Sequence, residues 1–299
     1  TSDTYTGGRL VNDAETTWRR VMDFDGPLNF VSPALFDQVD SVLPSITERS
    51  SRETLIQDAR IQYGVVKPPQ DHTKHLTDGI GFLLANSPSD VQNWTDTKEV
   101  AGHYYEECRQ LLMTLMPDAT IPAITSHTYR NEDIKEHHWI NGIQYGPCAT
   151  GVHNDYADFI EDDGTVSKKF SEIMGMSNDK RIIGINIWRS VSEKPLARFP
   201  LAVCDRTSID RDDLEYELNP NAKPGPFNAH FCKPNDNQRW FYYSQMTRDE
   251  ALVFTTYDSH PIDDPVFCPT LHTAVPIPGS EGKQPRESVE VRFFAQIPL

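Results

Sequence analysis

Apolar positions along this chain change their period near residue 120. Before that point Val100, Tyr104, Cys108, Leu111 and Leu115 recur at steps of four, four, three and four and stop at Pro117, which predicts a helix with one buried stripe. Ser32-Pro33 opens a shorter stretch through Leu35, Phe36, Val39 and Val42 that Pro44 ends, a second predicted helix. From about Ile121 the texture turns to short runs of Ile, Val, Phe, Tyr and Trp bounded by Asn, Asp, Gly and Pro, the pattern of strands. Strands are expected at 123–130, 151–156, 181–189, 200–204, 240–244, 251–257 and 288–297. An acidic insert, 161–180, with a short helix expected at 166–174, belongs at the rim, and the polar, proline-rich 205–237 reads as a long surface excursion.

So many short strands predict a sandwich or barrel, mainly β with added helices. With 299 residues, 37% of them apolar, the chain can bury a substantial core, and one domain over 1–299 is the expectation. Residues 1–120 would form an N-terminal arm and scaffold helices. Residues 121–299 would form the core, with the rim insert near 157–180 and the excursion near 205–237.

Charge narrows the partners. Acidic residues outnumber basic ones by 44 to 28, and a net charge of −16 repels phosphate backbones and anionic lipid surfaces. Neither a nucleic acid nor a membrane is expected as partner; a small molecule is, and an oligomer stays open. The five cysteines, Cys108, Cys148, Cys204, Cys232 and Cys268, form no CxxC pair, which fits a reduced compartment. The first ten residues have no apolar signal-like run, and no stretch is apolar enough to span a membrane, so a cytoplasmic protein is expected. No glycine-rich loop follows a strand as a dinucleotide or methyl-donor site requires.

The chemistry gathers around His153-Asn154-Asp155. A His and an Asp two apart on a strand point to one face, where an imidazole and a carboxylate can grip one divalent ion. A second His would complete the two-His-one-carboxylate set that leaves positions open on Fe(II). His272 is the leading candidate, in competition with His260. His272 is preferred because its spacing to Arg286, 14 residues, suits adjacent strands. Arg286 and Ser288 share a strand face, and a guanidinium fork beside a hydroxyl suits the far carboxylate of a keto-diacid. Arg292 has the same parity and competes for that role; if Glu290 pairs with one arginine, the other is left for ligand.

These segments, together with Asn186-Ile187-Trp188-Arg189, Pro195-Leu196-Ala197, Asp205, Trp240-Phe241-Tyr242-Tyr243, Met246, Glu250, Phe254, Asp258-Ser259, His272-Thr273-Ala274 and Arg286-Glu287-Ser288-Val289-Glu290-Val291-Arg292, resemble the fungal aspergillic-acid hydroxylase/desaturase family. Gibberellin desaturase-like and cephem-methoxylase-like proteins belong to the same group. The resemblance runs from about residue 120 to the end. It implies a double-stranded β-helix (a jelly-roll, cupin-like fold) that uses Fe(II), 2-oxoglutarate and O₂ to modify a specialised metabolite by hydroxylation, desaturation or ring rearrangement. Under it, His153, Asp155 and His272 are the metal and catalytic residues, and Arg286 and Ser288 the 2-oxoglutarate clamp.

Other features have plainer readings. Trp188 and Arg189 are candidate substrate contacts, though for Trp188 packing is the favoured expectation over a substrate platform, and for Arg189 a structural ion pair with Asp205 is favoured over a contact to an acidic ligand. His137-His138-Trp139 reads as a solvated loop, with a substrate-lid role as the minority view, and His72 with His75 is not expected to bind zinc. Two rivals remain: a metal enzyme of the same fold without 2-oxoglutarate, such as an isomerase or substrate-activated dioxygenase, and an inactive jelly-roll subunit that binds a metabolite or partner.

Overall fold

The computed structural model describes residues 10–11, 19–20, 23–31, 49–157, 159–160, 166–167, 176, 179–219, 227–259 and 269–299. The first strands are β1 (Leu10–Val11), β2 (Arg19–Arg20), β3 (Phe24–Val31), β4 (Arg49–Asp58), β5 (Phe82–Asn86) and β6 (Thr120–Asn131). Next come β7 (His138–Ile140), β8 (Ile143–Gly146), β9 (His153–Ala157), β10 (Phe159–Ile160), β11 (Val166–Ser167) and β12 (Arg181–Ser190). The last are β13 (Leu201–Cys204), β14 (Leu214–Asn219), β15 (Phe227–Cys232), β16 (Trp240–Tyr242), β17 (Glu250–Asp258), β18 (His272–Ala274) and β19 (Glu287–Ile297). Among the described residues they make a seven-stranded sheet, β5-β17-β12-β19-β6-β8-β7, an eight-stranded sheet, β14-β15-β9-β18-β13-β16-β4-β3, and two small ribbons, β1-β2 and β10-β11.

Strand β12 explains the layering. All ten of its residues are buried, so both faces are covered, and the two-residue period divides them. Ile183, Ile185 and Ile187 join Val289, Val291 and Phe293 of β19 on the outer face. There the predicted helix packs across them. It runs through Thr97–Glu99, a wider π-type stretch Val100–Tyr104, and α-helix Tyr105–Leu115, and its stripe of Val100, Tyr104, Cys108, Leu111 and Leu115 is buried. Asp96 caps the first turn by accepting from the Lys98 and Glu99 amides. Each fully buried leucine there contributes roughly 1.5–3 kcal/mol. The opposite face of β12 carries Asn186 and Trp188 toward the space between the sheets, where Trp188 packs with Phe82, Leu201, Val203, Phe241 and Phe254.

Several expectations change. The 205–237 stretch is not wholly a surface excursion: it supplies β14 and β15, and β15 pairs with β9, setting Phe231 opposite His153. In sequence Pro220, Pro224 and Pro226 fall between these two strands and Pro234 just after them, and so many prolines in one polar stretch masked the strand pattern. In the insert, Val166–Ser167 pairs as a strand with Phe159–Ile160, and the remainder of the helix expected at 166–174 lies outside the described residues. The helix expected at 32–42 also lies outside them. Residues before 120 do more than form an arm, because β3 and β4 extend the eight-stranded sheet and β5 edges the other. His138–Ile140 is an exposed edge strand rather than a loop, with the His138 ring stacked on Tyr145 at 5.4 Å. The four described cysteines, Cys108, Cys148, Cys204 and Cys232, are free thiols. Among the described residues no helix is long and apolar enough to cross a membrane.

Candidate metal centre and its cleft

Side chains from two strands distant in sequence meet between the sheets. His153 and Asp155 lie on β9, and β18 sets His272 directly opposite His153, with ring centroids 4.5 Å apart. One ligand atom from each of His153, Asp155 and His272 lies within 4.8 Å of the others. His153 Nε2 stands 3.6 Å from Asp155 Oδ1.

Hydrogen bonds on the far side of each ligand fix which atoms face inward. His153 Nδ1 is 2.7 Å from the Gly151 carbonyl and His272 Nδ1 is 3.2 Å from the Thr270 carbonyl. A carbonyl can only accept, so both Nδ1 atoms carry the proton and both Nε2 lone pairs are available. Asp155 Oδ2 accepts from Arg292 Nε at 2.8 Å and from Asn186 Nδ2 at 2.9 Å, which leaves Oδ1 for the centre. Burial, and then the neighbouring His272, lower the His153 pKa to about 4, and burial lowers that of His272. Burial opposes ionisation of Asp155, yet Arg292 and the two imidazoles outweigh it and hold the carboxyl well below its usual range. Two neutral imidazoles and one carboxylate are the protonation states that metal ligation needs, so the donor set fits a divalent ion.

The same burial has a consequence for stability. It lowers His127 to about 4 and His230 to about 3, so with His153 several histidines are neutral when folded and take up protons below about pH 6.5 when unfolded. Folding stability of the metal-free chain is therefore full above pH 6.5 and falls, by several kcal/mol in order of magnitude, as the pH drops toward 4. Thermal melts at pH 7 and about pH 4.5 measure this; a midpoint that holds or rises on acidification would contradict it.

The facing sheet supplies the rest of the cleft. Strand β19 presents Ser288, Glu290 and Arg292 on one face, paired with Arg130, Thr128 and Ser126 of β6. Arg286 Nε donates to Ser288 Oγ at 3.0 Å and its Nη1 to the Phe199 carbonyl at 2.8 Å, while its guanidinium lies over the Trp188 ring at 4.9 Å. Phe199 holds a left-handed backbone, φ 43, that aims this carbonyl. Arg292 Nη2 pairs with Glu290 at 2.6 Å, so of the two competing arginines Glu290 takes Arg292. Arg286, Ser288 and His272 are almost fully buried.

Other candidates settle elsewhere. Strands β18 and β19 are not neighbours but belong to opposite sheets, so His272 and Arg286 face each other across the cleft rather than along one sheet. His260 lies outside the described residues. Trp188 lines the cleft. Arg189 does not: it points to the helix side, donates to the Tyr104 hydroxyl at 3.0 Å and to the Arg248 carbonyl, and stacks on Tyr104 at 5.2 Å. The ion pair expected between Arg189 and Asp205 is absent among the described residues; Asp205 binds Arg239 at 2.6 Å. A larger groove beside β4, between Arg52 and Arg239, contains neither His nor Cys.

A family model described as oxidoreductase/YMDC permease-like domain matches residues 33–296. The hydroxylase/desaturase efuI of Hormonema carpetanum is 33% identical over 237 residues, 72% of this chain and 76% of that one. The chain belongs to this family of fungal hydroxylase/desaturases. Within the family, the Fe(II)/2-oxoglutarate-dependent dioxygenase nvfI of Aspergillus novofumigatus is 27% identical over 244 residues, covering 78% of this chain and 81% of its own. A solved structure, the iron and alpha-ketoglutarate-dependent endoperoxidase NvfI, superposes with a TM-score of 0.65 at 20% identity over 93% of this chain and 98% of that one. The fold is accordingly the jelly roll of such oxygenases. The family-like segments divide by position: His153, Asp155, Asn186, His272, Arg286 and Arg292 surround the centre. Others are structural pins, as Glu250 accepts two 2.7 Å bonds from Arg60 and Asp258 accepts two from Arg181, at 2.9 and 2.6 Å.

Thr128, Arg130, Glu290 and the Phe199 carbonyl are parts of the cleft that sequence reasoning did not single out as site groups. For Thr128 and Arg130 a signal existed, since both sit on one face of a predicted strand. The Phe199 carbonyl left none.

Proposed function

We propose that His153, Asp155 and His272 hold Fe(II), and that Arg286 with Ser288 holds the distal carboxylate of 2-oxoglutarate, in an enzyme that oxidises a small metabolite. The observation that carries this reading is the convergence within 4.8 Å of two imidazoles, the buried His272 and the half-buried His153, and the half-buried Asp155 carboxylate, beside the buried Arg286 guanidinium. The chain is a non-haem iron, 2-oxoglutarate-dependent dioxygenase of fungal secondary metabolism, and its substrate is a small molecule. When bound, Fe(II) with 2-oxoglutarate and O₂ supplies the oxidising equivalents that remove hydrogen from a C–H bond, releasing succinate and CO₂.

The residues around the centre have separate tasks. The Gly151 and Thr270 carbonyls lock both imidazoles in the tautomer that offers Nε2, and Arg292 with Asn186 turns Asp155 so that Oδ1 faces the ion. Arg286, which lines the cleft, is fixed through Nε and Nη1, which leaves Nη2 without a protein partner among the described residues. A planar fork held in this way is preorganised for a carboxylate. Trp188 and Leu201 give the cleft apolar walls that limit water, and Phe254 backs the His272 ring at 4.8 Å. The whole chain, 1–299, acts as one oxygenase unit, since strands from before residue 120 complete both sheets.

The test is anaerobic mixing of the protein with Fe(II) and 2-oxoglutarate. A weak visible metal-to-ligand charge-transfer band is the expected result. Folded protein that shows no such band at saturating concentrations would overturn the clamp assignment.

A further inference from the structure

The charges lining the cleft do not balance. Three guanidinium groups, Arg130, Arg286 and Arg292, stand against two carboxylates, Asp155 and Glu290. Arg292 takes both carboxylates, at 2.8 and 2.6 Å. Arg286 belongs to the clamp described above. Arg130 is left over: its contacts are the neutral His137 Nδ1 at 3.3 Å, the Pro147 carbonyl at 3.3 Å and Gln144 Oε1 at 3.5 Å. Among the described residues the ion pairs of the cleft are Arg292–Asp155 and Arg292–Glu290, and Arg130 is in neither of them.

Its position excludes an ordinary surface role. Arg130 sits on β6 directly opposite Ser288, on the same face as Thr128, which accepts from Arg292 Nη1 at 2.7 Å. Burial, and then repulsion from Arg292, lower its pKa, so its charge is held there against both. A half-buried cation without an anion carries part of the desolvation cost that a ligand carboxylate would offset. Loading the centre does not supply it, because Fe(II) and the 2-oxoglutarate dianion cancel.

We infer that Arg130 receives a carboxylate of the substrate, so that the substrates of this enzyme are organic acids anchored by that fork beside the metal centre. This rests on the oxygenase reading for what happens next to the acid, though not for its binding. A guanidinium fork takes a carboxylate through two parallel charge-assisted bonds and discriminates against a neutral amide of the same shape.

Calorimetric titration of the full, metal-free chain with cyclohexanecarboxylate and with cyclohexanecarboxamide tests this. Wild type is expected to prefer the acid by about tenfold or more. R130Q should lose that preference, and R130K should keep part of it. The affinity of R130Q for 2-oxoglutarate with Fe(II), read from the visible band, should stay within about threefold of wild type if charge-assisted contacts to the co-substrate come from Arg286. Equal binding of acid and amide by wild type, or an undiminished preference in R130Q, would overturn the inference. A loss of 2-oxoglutarate affinity in R130Q would also overturn it, by assigning Arg130 to the co-substrate. If R130Q does not fold, the wild-type comparison and R130K decide. An acid preference in metal-free protein that never develops the band would sink the oxygenase reading while the carboxylate site stands.

Discussion

Alanine or glutamine at His272 should cut Fe(II) affinity by at least about 100-fold and abolish succinate formation. Loss of a group that merely orients a ligand costs roughly 10–100-fold in metal affinity, and loss of the ligand itself should exceed that. His272 is 2% exposed, packed between the His153 ring at 4.5 Å and Phe254 at 4.8 Å, so the alanine also opens a cavity and lowers stability. Glutamine fills most of the space, and this separates metal loss from packing loss. Anaerobic Fe(II) titration of both variants, with a melt of each, gives the answer. If the glutamine variant folds and retains iron within a few-fold of wild type, another residue completes the centre.

The second large effect is expected at Arg286. Alanine there removes charge-assisted hydrogen bonds worth about 1.5–3 kcal/mol, so 2-oxoglutarate affinity should fall roughly 10- to 150-fold with iron binding little changed. Alanine at Arg292 should do the opposite. It frees Asp155 Oδ2 from its 2.8 Å bond and strands the Glu290 carboxyl, whose pKa burial already raises, so iron affinity should suffer first. Separate titrations of metal and co-substrate in the two variants make the comparison. Weaker 2-oxoglutarate binding in the Arg292 variant than in the Arg286 variant would exchange their roles.

How far the sequence carries depends on where each signal resides. Strands with both faces covered, such as β12, and the stripe of Val100–Leu115 residues are legible because periodicity and burial agree. The His153-x-Asp155 pair is legible because a strand's two-residue period is local. The partnership of His153 with His272 is not local. It arises from strand order, in which β18 lies between β9 and β13; the 14-residue spacing from His272 to Arg286 predicts adjacent strands, whereas β18 and β19 lie in different sheets. Strands β14 and β15 are hidden in the sequence by the prolines between and after them, although β15 directly braces the His153 strand. For Arg189, nearness in sequence suggests Asp205 as ion partner, whereas its parity on β12 turns it away from the cleft toward Tyr104. Phe199 could not have been found at all, since its contribution is a backbone carbonyl aimed by a left-handed conformation.

The central claim is that one ferrous ion sits among residues 153, 155 and 272. Anomalous scattering at the iron edge from a crystal grown anaerobically with Fe(II) locates that ion directly. A single strong peak within coordinating distance of both Nε2 atoms and of Asp155 Oδ1 is the predicted result. A well-ordered site with no peak there, or iron held by other side chains, would contradict it.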